Sequence, residues 1–369
     1  MATEQLRERC KALLEQIAAA PRFAGSSNER RARDLCRSQL RAAGFSCHER
    51  AFEYSRWPAM WGSPLASIAQ LLGTLLLAWM ATRRGAAAAL LTVGAFLPVL
   101  WLASRWVRTH GTARLPWLSA SATNLEAVRG EPGAWLVAHL DSKSQTIPML
   151  WRIAGTVAAS AVSAAAIIVA LLQLAGVSSV GRLWASIAAA AVVAALPGML
   201  CFVRNASSGA VDNASGVVAV VLAAEELSRA SLPVGVLITS AEELGLAGAR
   251  AWTSTRSGKP TMMINCDTVD DGGRWYCMYT GDRPAALVAA VNATALRLGV
   301  DLTTRPLLPG ILADSVAFAD AGLESVTISR GNLRTLARIH TRGDNSALMT
   351  AAGAADASLF LTALVTEIS

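Results

Sequence analysis

Charged side chains are scarce in this sequence. Asp, Glu, Lys and Arg make up 16% of the 369 residues, and the mean hydropathy is +0.40. An average soluble protein has about 25% charged residues. The deficit is concentrated in stretches that contain none of these four residue types, namely residues 57–82, 85–104, 153–181 and 183–203. This composition excludes an ordinary soluble protein.

The four uncharged stretches predict membrane spans. Each has about 20 residues or more, enough for a helix to cross roughly 30 Å of hydrocarbon. Buried core helices are the alternative, but four stretches this rich in Leu, Ala, Val and Ile favour two transmembrane hairpins, residues 57–104 and 151–203. The spans also lack the intramembrane charges and histidines that mark an ion or proton path. We therefore interpret the hairpins as anchors and not as a transporter or channel.

Basic residues predict the orientation of these spans. The hairpin tips hold three of them, whereas eight flank the spans on the side of the remaining chain: Arg50, Arg56, Arg105, Arg108, Arg114, Lys143, Arg152 and Arg204. The positive-inside rule then places the remaining chain in the cytoplasm. The polar start of the sequence is not a signal peptide. The net charge of +7 fits this topology and anionic lipid, and no aromatic-basic pattern predicts a nucleic-acid partner.

A disulfide framework is also missing. None of the six cysteines forms a CxxC pair, and Cys201 lies in a predicted span. Free thiols in a reducing compartment fit this pattern better than disulfides.

Outside the hairpins, roughly 270 residues remain, enough for one large α/β domain built from residues 1–56, 105–150 and 204–369. Strands alternate with helices, which predicts a three-layer sandwich with a largely parallel sheet. Residues 123–128 and 134–139, on either side of a turn at 130–133, are expected to form a β-hairpin on the sheet edge. The other predicted strands are 46–54, 234–239, 261–266, 275–279 and 325–328, and the predicted helices are 3–20, 28–43, 217–229, 247–255, 284–299 and 347–365.

Two strand ends carry pairs of polar residues. Glu242 and Glu243 follow the strand at 234–239, and neighbouring residues there point in different directions. One carboxylate could bind a metal while the other faces a water; an acidic helix start is the alternative. His139 and Asp141 end another strand, as a metal ligand and its orienting carboxylate or as a local ion pair.

Three further candidates lie at strand ends or loops. Asp267 ends a strand, His340 lies in the loop 338–345, and Asp212 precedes a helix that it could instead merely cap. The carboxyl ends of parallel strands meet at one sheet edge. Two His and three carboxylates suit zinc, and two metals about 3.5–4 Å apart can together activate a water and polarise a carbonyl. A free carboxylate must then carry the proton of the water to the leaving amine, and Glu242 fits that role.

Five motifs resemble the M28 family of zinc aminopeptidases in type and order. They are His139-Leu140-Asp141, the DNASG segment at 212–216, Glu242-Glu243-Leu244-Gly245, Asn265-Cys266-Asp267, and His340-Thr341-x-x-Asp344; residues 21–29 also resemble the N-terminal segment of the family. The resemblance implies a zinc-exopeptidase fold and an enzyme that removes N-terminal residues from peptides with two Zn²⁺ ions.

The resemblance also implies a role for each site residue. Asp212 would bridge the two zinc ions, and Glu242 would act as general base while Asp141 orients His139. The remaining ligands would divide into two pairs, Glu243 with His340 and His139 with Asp267.

The sequence departs from the family pattern in two places. Ala313-Asp314-Ser315 stands where the family often has Ser-Asp-His, a change that concerns the substrate pocket and not the metal ligands. The hairpins are absent from the commonly secreted or soluble members. The HLDSK string at 139–143 also resembles glutaminyl cyclases, which are related acyltransferases. A catalytically silent binding or scaffold protein is a further alternative, but retention of every ligand and of Glu242 favours an enzyme.

The second hairpin begins within about ten residues of Asp141 and ends about eight before Asp212, and linkers of that length reach only roughly 30 Å when extended. We therefore expect the metal site to lie near the bilayer and its peptide substrate to be membrane-associated.

Overall fold

A computed structural model describes residues 3–255, 261–308 and 310–369. The chain forms two compact units. One, here called the sheet unit, consists of Met1–Tyr54, Ser119–Ser144 and Asn205–Ser369. The other, the helical unit, consists of Ser55–Leu118 and Gln145–Arg204.

An eight-stranded sheet forms the centre of the sheet unit. Its strands are β1 (Ser46–Ser55), β2 (Ser119–Arg129), β3 (Ala134–His139), β4 (Val234–Thr239), β5 (Met262–Val269), β6 (Arg274–Tyr279), β7 (Leu302–Pro306) and β8 (Ser325–Gly331), and their order across the sheet is β1-β2-β4-β3-β5-β8-β6-β7. Strands β4, β3, β5 and β8 are parallel neighbours, whereas β2 and β6 run antiparallel to β4 and β8. The predicted mixed, largely parallel sheet is confirmed. Two-residue strands at Ser144–Gln145 and Val203–Arg204 lie outside this sheet.

The prediction that residues 123–128 and 134–139 form a β-hairpin on the sheet edge is wrong. Strand β4 lies between β2 and β3, and pairs antiparallel with the first and parallel with the second. Strand β3 is buried along its whole length, and an uninterrupted apolar strand belongs in the middle of a parallel sheet. The turn at 130–133 therefore leads across β4 and does not close a hairpin.

The first helices begin where the sequence offers a capping side chain. They are α1 (Glu4–Ile17), α2 (Ser27–Ala42), α3 (Trp57–Arg83), α4 (Ala86–Trp106), α5 (Thr112–Arg114), α6 (Met149–Leu174), α7 (Trp184–Met199), α8 (Ser215–Arg229), α9 (Ala247–Ser254), α10 (Ala285–Leu298), α11 (Asp314–Asp320), α12 (Leu333–Arg338) and α13 (Ala352–Ile368). The Thr3 and Ser26 hydroxyls accept backbone N–H groups of the first turns of α1 and α2. Sequence reasoning missed β7, α11 and α12, which have only five to seven residues each.

Helices cover both faces of the sheet. On one face Trp135 and Phe318 both pack against Trp252, with ring centroids 5.2 and 5.7 Å away. Alternate residues of a strand point to opposite faces of the sheet. On the other face, α8 contacts β3, β4 and β5 and packs against α13. This is the expected three-layer arrangement.

The helical unit contains four helices that are long and apolar enough to cross a membrane. They are Trp57–Arg83, Ala86–Gly111, Met149–Leu174 and Ser179–Met199, with mean hydropathies from 1.6 to 2.2. Inside this unit, Thr74 Oγ1 lies 3.0 Å from Ser163 Oγ, and the Gln70 amide donates to the same hydroxyl at 3.3 Å. Large apolar side chains such as Leu91 and Val193 lie on its exterior, 76% and 67% exposed.

Candidate metal centre

Three adjacent parallel strands bring the first candidates together. His139 is the last residue of β3 and lies in register with Thr239, the last residue of β4. The Glu242–Glu243 pair follows β4 directly, and Asp267 lies near the end of β5, the other neighbour of β3. Because the strands are parallel, their carboxyl ends share one edge of the sheet.

Asp212 joins this edge from the loop before α8, and His340 joins from the loop after α12. The Asp212 Oδ1 atom lies 3.2 Å from His139 Nε2, and Oδ2 lies 3.0 Å from His340 Nε2. Asp267 Oδ1 lies 3.5 Å from His139 Nε2, and Glu243 Oε1 lies 3.1 Å from His340 Nε2.

These five buried side chains therefore form two triads that share Asp212. The first triad is His139, Asp212 and Asp267; the second is Asp212, Glu243 and His340. In each, the ligand atoms lie within 4.8 Å of one another. The structure thus brings together every metal ligand expected from the sequence, and the ligand roles themselves stay predictions.

Asp141 holds both sides of the site. Its carboxylate accepts the backbone N–H groups of Glu242 and Glu243 at 3.1 and 3.2 Å. The closest acceptor to His139 Nδ1 is the Asp141 backbone oxygen at 3.0 Å, whereas the carboxylate lies 3.7 Å away. Asp141, which the sequence predicted to orient His139, therefore contacts the imidazole mainly through its backbone carbonyl. The Asp141 carboxylate instead positions the backbone of Glu242 and Glu243.

Glu242 lies beside the triads and belongs to neither. Its Oε2 atom is 3.9 Å from His139 Nε2, and the side chain is buried. Burial raises the pKa of Glu242 well above its ordinary value, and the charges of Glu243 and Asp267 add to that effect against the opposing charge of His139. A carboxyl group with this high proton affinity, next to candidate metal ligands, suits a proton carrier.

Asn213 explains why the DNASG segment has its composition. Its amide donates to the Cys266 carbonyl at 2.9 Å, and its Oδ1 accepts from the N–H groups of Gly216 and Thr268 at 3.1 and 3.2 Å. A Cβ at Gly216 would lie 2.2 Å from that same Oδ1. Asn213 therefore links the loop that carries Asp212 to the strand that carries Asp267, and only glycine fits beneath it.

Asp344 fixes the other side of the Asp212 loop. Its two carboxylate oxygens accept the N–H groups of Val211 and Asp212 at 2.7 and 3.2 Å. Ser208 donates to its backbone carbonyl at 2.9 Å. The aspartate of the His340-Thr341-x-x-Asp344 motif is thus a support for Asp212, the residue that the two triads share.

Lys143, which the sequence places among the basic residues that flank the predicted spans, is also part of the site. Its ammonium lies 2.7 Å from Glu243 Oε2 and donates to the Glu243 carbonyl at 3.1 Å. Although burial acts to raise it, His340 and Lys143 lower the pKa of Glu243 to about 2. Lys143 is the fifth residue of the HLDSK string at 139–143, and its place in that motif is the sequence feature that could have pointed to a role in the site.

The donor set fits two divalent cations. Three buried carboxylates converge with two imidazoles, and a buried charge needs a partner of opposite sign. Within the described part of the chain, Glu243 Oε1 is buried and makes no well-formed hydrogen bond, although His340 Nε2 of the same triad lies 3.1 Å from it. Imidazole nitrogen and carboxylate oxygen are ligands that zinc accepts in tetrahedral sites.

Comparison with known proteins agrees with the fold and the motifs. Residues 129–364, more than half of the chain, match the model of peptidase family M28, so the chain belongs to this family, as the five motifs predicted. No protein with a curated description matches the sequence.

Solved structures with a similar fold include two kinds of protein. A zinc aminopeptidase from Bacillus subtilis, BSAP, is 14% identical with a TM-score of 0.58, covering 98% of this chain and 95% of that chain. A glutaminyl cyclase from Porphyromonas gingivalis is also 14% identical with a TM-score of 0.58, covering 98% of both chains. A glutaminyl cyclase from Fimbriiglobus ruber is 13% identical with a TM-score of 0.55, covering 100% and 97%. At such identities the likeness establishes the fold.

Proposed function

We propose that this protein is a membrane-embedded aminopeptidase that removes N-terminal residues from peptides with two zinc ions. The observation that carries the proposal is the pair of buried triads that share Asp212, with Glu242 beside them. Membership of peptidase family M28 supports hydrolysis of a peptide bond.

Each triad would hold one ion. His139 and Asp267 would bind the first and Glu243 and His340 the second, with one oxygen of Asp212 for each. When bound, two zinc ions supply Lewis-acid polarisation of a carbonyl and a lowered pKa for water.

Glu242 provides the proton path. Its carboxylate takes a proton from the attacking water as the C–O bond forms, and delivers it to the amine as the C–N bond breaks. Asp141 keeps this carboxylate in place through the Glu242 backbone N–H and holds the His139 ring through its own carbonyl.

The decisive variant is Glu242→Gln, which removes the proton acceptor and keeps the shape of the side chain. We expect aminoacyl-substrate hydrolysis to fall by about 10²–10⁴-fold, the typical contribution of a general base. Zinc content should stay at the wild-type value, because Glu242 is in neither triad. The matched control is Glu226→Gln, on the exposed face of α8 and paired with Arg229. Unchanged hydrolysis in Glu242→Gln would sink the assignment.

The four apolar helices are proposed to span the membrane as two hairpins, with the sheet unit on the cytoplasmic face. Their length and hydropathy support spanning, and the excess of basic residues away from the hairpin tips supports the orientation. Since the second hairpin is inserted between His139-Leu140-Asp141 and Asp212, we further propose peptide substrates that are delivered at the membrane. Reconstituted protein should then cleave a lipid-anchored peptide faster than the same free peptide; faster turnover of the free peptide argues against it.

A glutaminyl-cyclase-like acyltransferase is the second candidate. The HLDSK string at 139–143 and the fold shared with two glutaminyl cyclases favour it. A peptide with N-terminal glutamine separates the two activities, because an aminopeptidase releases free glutamine and a cyclase releases ammonia. A silent scaffold would bind zinc and release neither.

A further inference from the structure

Arg22 is a fully buried cation in the loop between α1 and α2 of the sheet unit. Its guanidinium donates to four backbone carbonyls: Leu140 at 2.8 Å, Gly209 at 3.0 Å, Ile17 at 3.2 Å, and Ser208. None of the described carboxylates lies within ion-pair distance of it. The hydrogen bonds of the guanidinium therefore go to main-chain oxygens, and the carboxylates of Asp344 and Asp141 stabilise its charge only from a longer distance.

The position of those carbonyls connects Arg22 to the metal centre. Leu140 lies between His139 and Asp141, and Ser208 and Gly209 lead into Asp212. Burial lowers the pKa of Arg22 to about 10, which reflects how unfavourable its surroundings are for a cation. A charged group in such a place is costly unless its hydrogen bonds are all made.

Ser142 completes the same arrangement. The Arg22 N–H donates to the Ser142 hydroxyl at 2.9 Å, and the Ser142 N–H donates back to the Arg22 carbonyl at 3.0 Å. The Ser142 hydroxyl in turn donates to the Ser207 carbonyl at 2.9 Å. We call Arg22, Ser142 and residues 207–209 the clasp.

The clasp lies where the sheet unit is interrupted. Residues 145–204 belong to the helical unit, so the chain leaves just after the first ligand loop and returns just before the second. Keeping the two ends of so long an insertion together has an entropic cost. The chain is closely packed at Gly209. A Cβ there would lie 2.6 Å from the Ser142 Cβ and 2.4 Å from the Asp212 backbone oxygen, so a larger residue would not fit.

We propose that Arg22 is a positioning residue that, through the clasp, holds the ligand loops 139–142 and 207–212 together across the insertion and thereby sets the affinity of both triads for metal. The proposal rests on the metal centre of the proposed function. Asp212 belongs to the second loop and to both triads, so a displacement of that loop weakens both ion sites at once.

The test measures zinc binding by the full-length protein in detergent against a competing chelator, with the melting temperature of the metal-free protein alongside. Arg22→Met should lower zinc affinity at least tenfold, and Ser142→Ala, which removes one donor and one acceptor, about threefold. Arg22→Lys keeps the charge but has fewer donors for the four carbonyls, and should fall between wild type and Arg22→Met.

Arg33→Met is the matched control. Arg33 is a buried arginine of α2, 6% exposed, and lies 3.5 Å from Glu49, which has no contact with the ligand loops among the described ion pairs. Its loss should lower the melting temperature and leave zinc affinity within twofold of wild type.

The outcomes are separable. If Arg22→Met lowers only the melting temperature, as Arg33→Met does, Arg22 is a general core residue and the proposal is overturned. If Arg22→Met does not fold, unchanged zinc affinity in Ser142→Ala and Arg22→Lys overturns it equally. Failure of the wild type to bind zinc would contradict the proposed function itself.

Discussion

The two units of this chain distribute polarity in opposite ways. In the sheet unit a cluster of ionisable groups lies inside: His139 and Asp141 are 1% exposed and Asp344 is fully buried. In the helical unit many large apolar groups lie outside: Leu91 and Trp151 are 76% and 68% exposed. Buried charges need paired partners or cations, and extended apolar surfaces need an apolar solvent. The difference is the one that the proposed function requires, a metal-binding interior in the sheet unit and a lipid-facing exterior in the helical unit.

The largest effect should come from placing the same charge on each exterior. Leu72 lies near the middle of α3, 59% exposed, and Leu296 lies on α10 of the sheet unit, 85% exposed. Leu72→Arg should cost about 2.5–3.5 kcal/mol of membrane insertion, whereas Leu296→Arg should leave folding unchanged because its side chain faces water. The fraction of protein that resists carbonate extraction measures the first effect. An equal carbonate-resistant fraction for the two variants would contradict the proposed difference between the two exteriors.

A smaller effect tests the interiors. Ser215 is fully buried in the sheet unit; its hydroxyl donates to the Val211 carbonyl at 2.7 Å and accepts the Val269 N–H at 3.1 Å. Ser215→Ala leaves the Val211 carbonyl and the Val269 N–H without this hydrogen-bond partner, and should lower the free energy of unfolding by about 1–3 kcal/mol. Ser163→Ala removes a hydroxyl that bonds Thr74 and Gln70 between helices of the other unit, and should cost about 0.6 kcal/mol, the average for such contacts in membranes. Unfolding titrations of both metal-free variants in one detergent compare them; a larger cost for Ser163→Ala would reverse the contrast.

The metal-free interior should also make stability depend on pH. Burial raises the pKa of the carboxyl groups of Glu29, Asp314 and Asp344 to about 7. Burial alone would lower the pKa values of His139 and His340, but neighbouring carboxylates raise them above the ordinary value. Carboxyl groups titrate near pH 4 and imidazoles near pH 6.5 in the unfolded chain, so the folded state binds more protons over this range. Its stability is therefore lost as pH rises through about 7.

We accordingly expect the metal-free protein to melt about 5 °C or more lower at pH 8.5 than at pH 6. The lowered pKa values of Asp212 and Glu243 do not alter this window, because their contribution is already constant above pH 4.5. Zinc should reverse the trend, since it binds deprotonated ligands. Melting curves with chelator and with zinc check both statements, and a melting temperature that rises with pH in chelator would contradict them.

Much of this organisation could be predicted from the sequence because the signals were local. Uncharged stretches predict the apolar helices, and motifs at strand ends and in loops predict the candidate ligands, which the fold brings together. The position of β3 could not be predicted, because the turn at 130–133 indicates a hairpin and only the complete burial of the strand favours a central place.

The supports of the metal centre were hidden for a different reason. Arg22 and Lys143 act through contacts with residues 118 and 100 positions away, and the motifs that contain them, residues 21–29 and 139–143, do not show which distant atoms they contact. The Asp141 carboxylate likewise reaches the Glu242 backbone across 101 positions. Such contacts depend on the arrangement of loops that the local sequence does not specify.

The most direct test of the central claim is the number of zinc ions per chain in the wild type and in Asp212→Asn. Asp212 offers one oxygen to each triad, so the wild type should hold two ions per chain and the variant should lose both. Elemental analysis after dialysis against buffered zinc gives this count. Two ions retained by Asp212→Asn, or no zinc in the wild type, would contradict a shared two-metal centre.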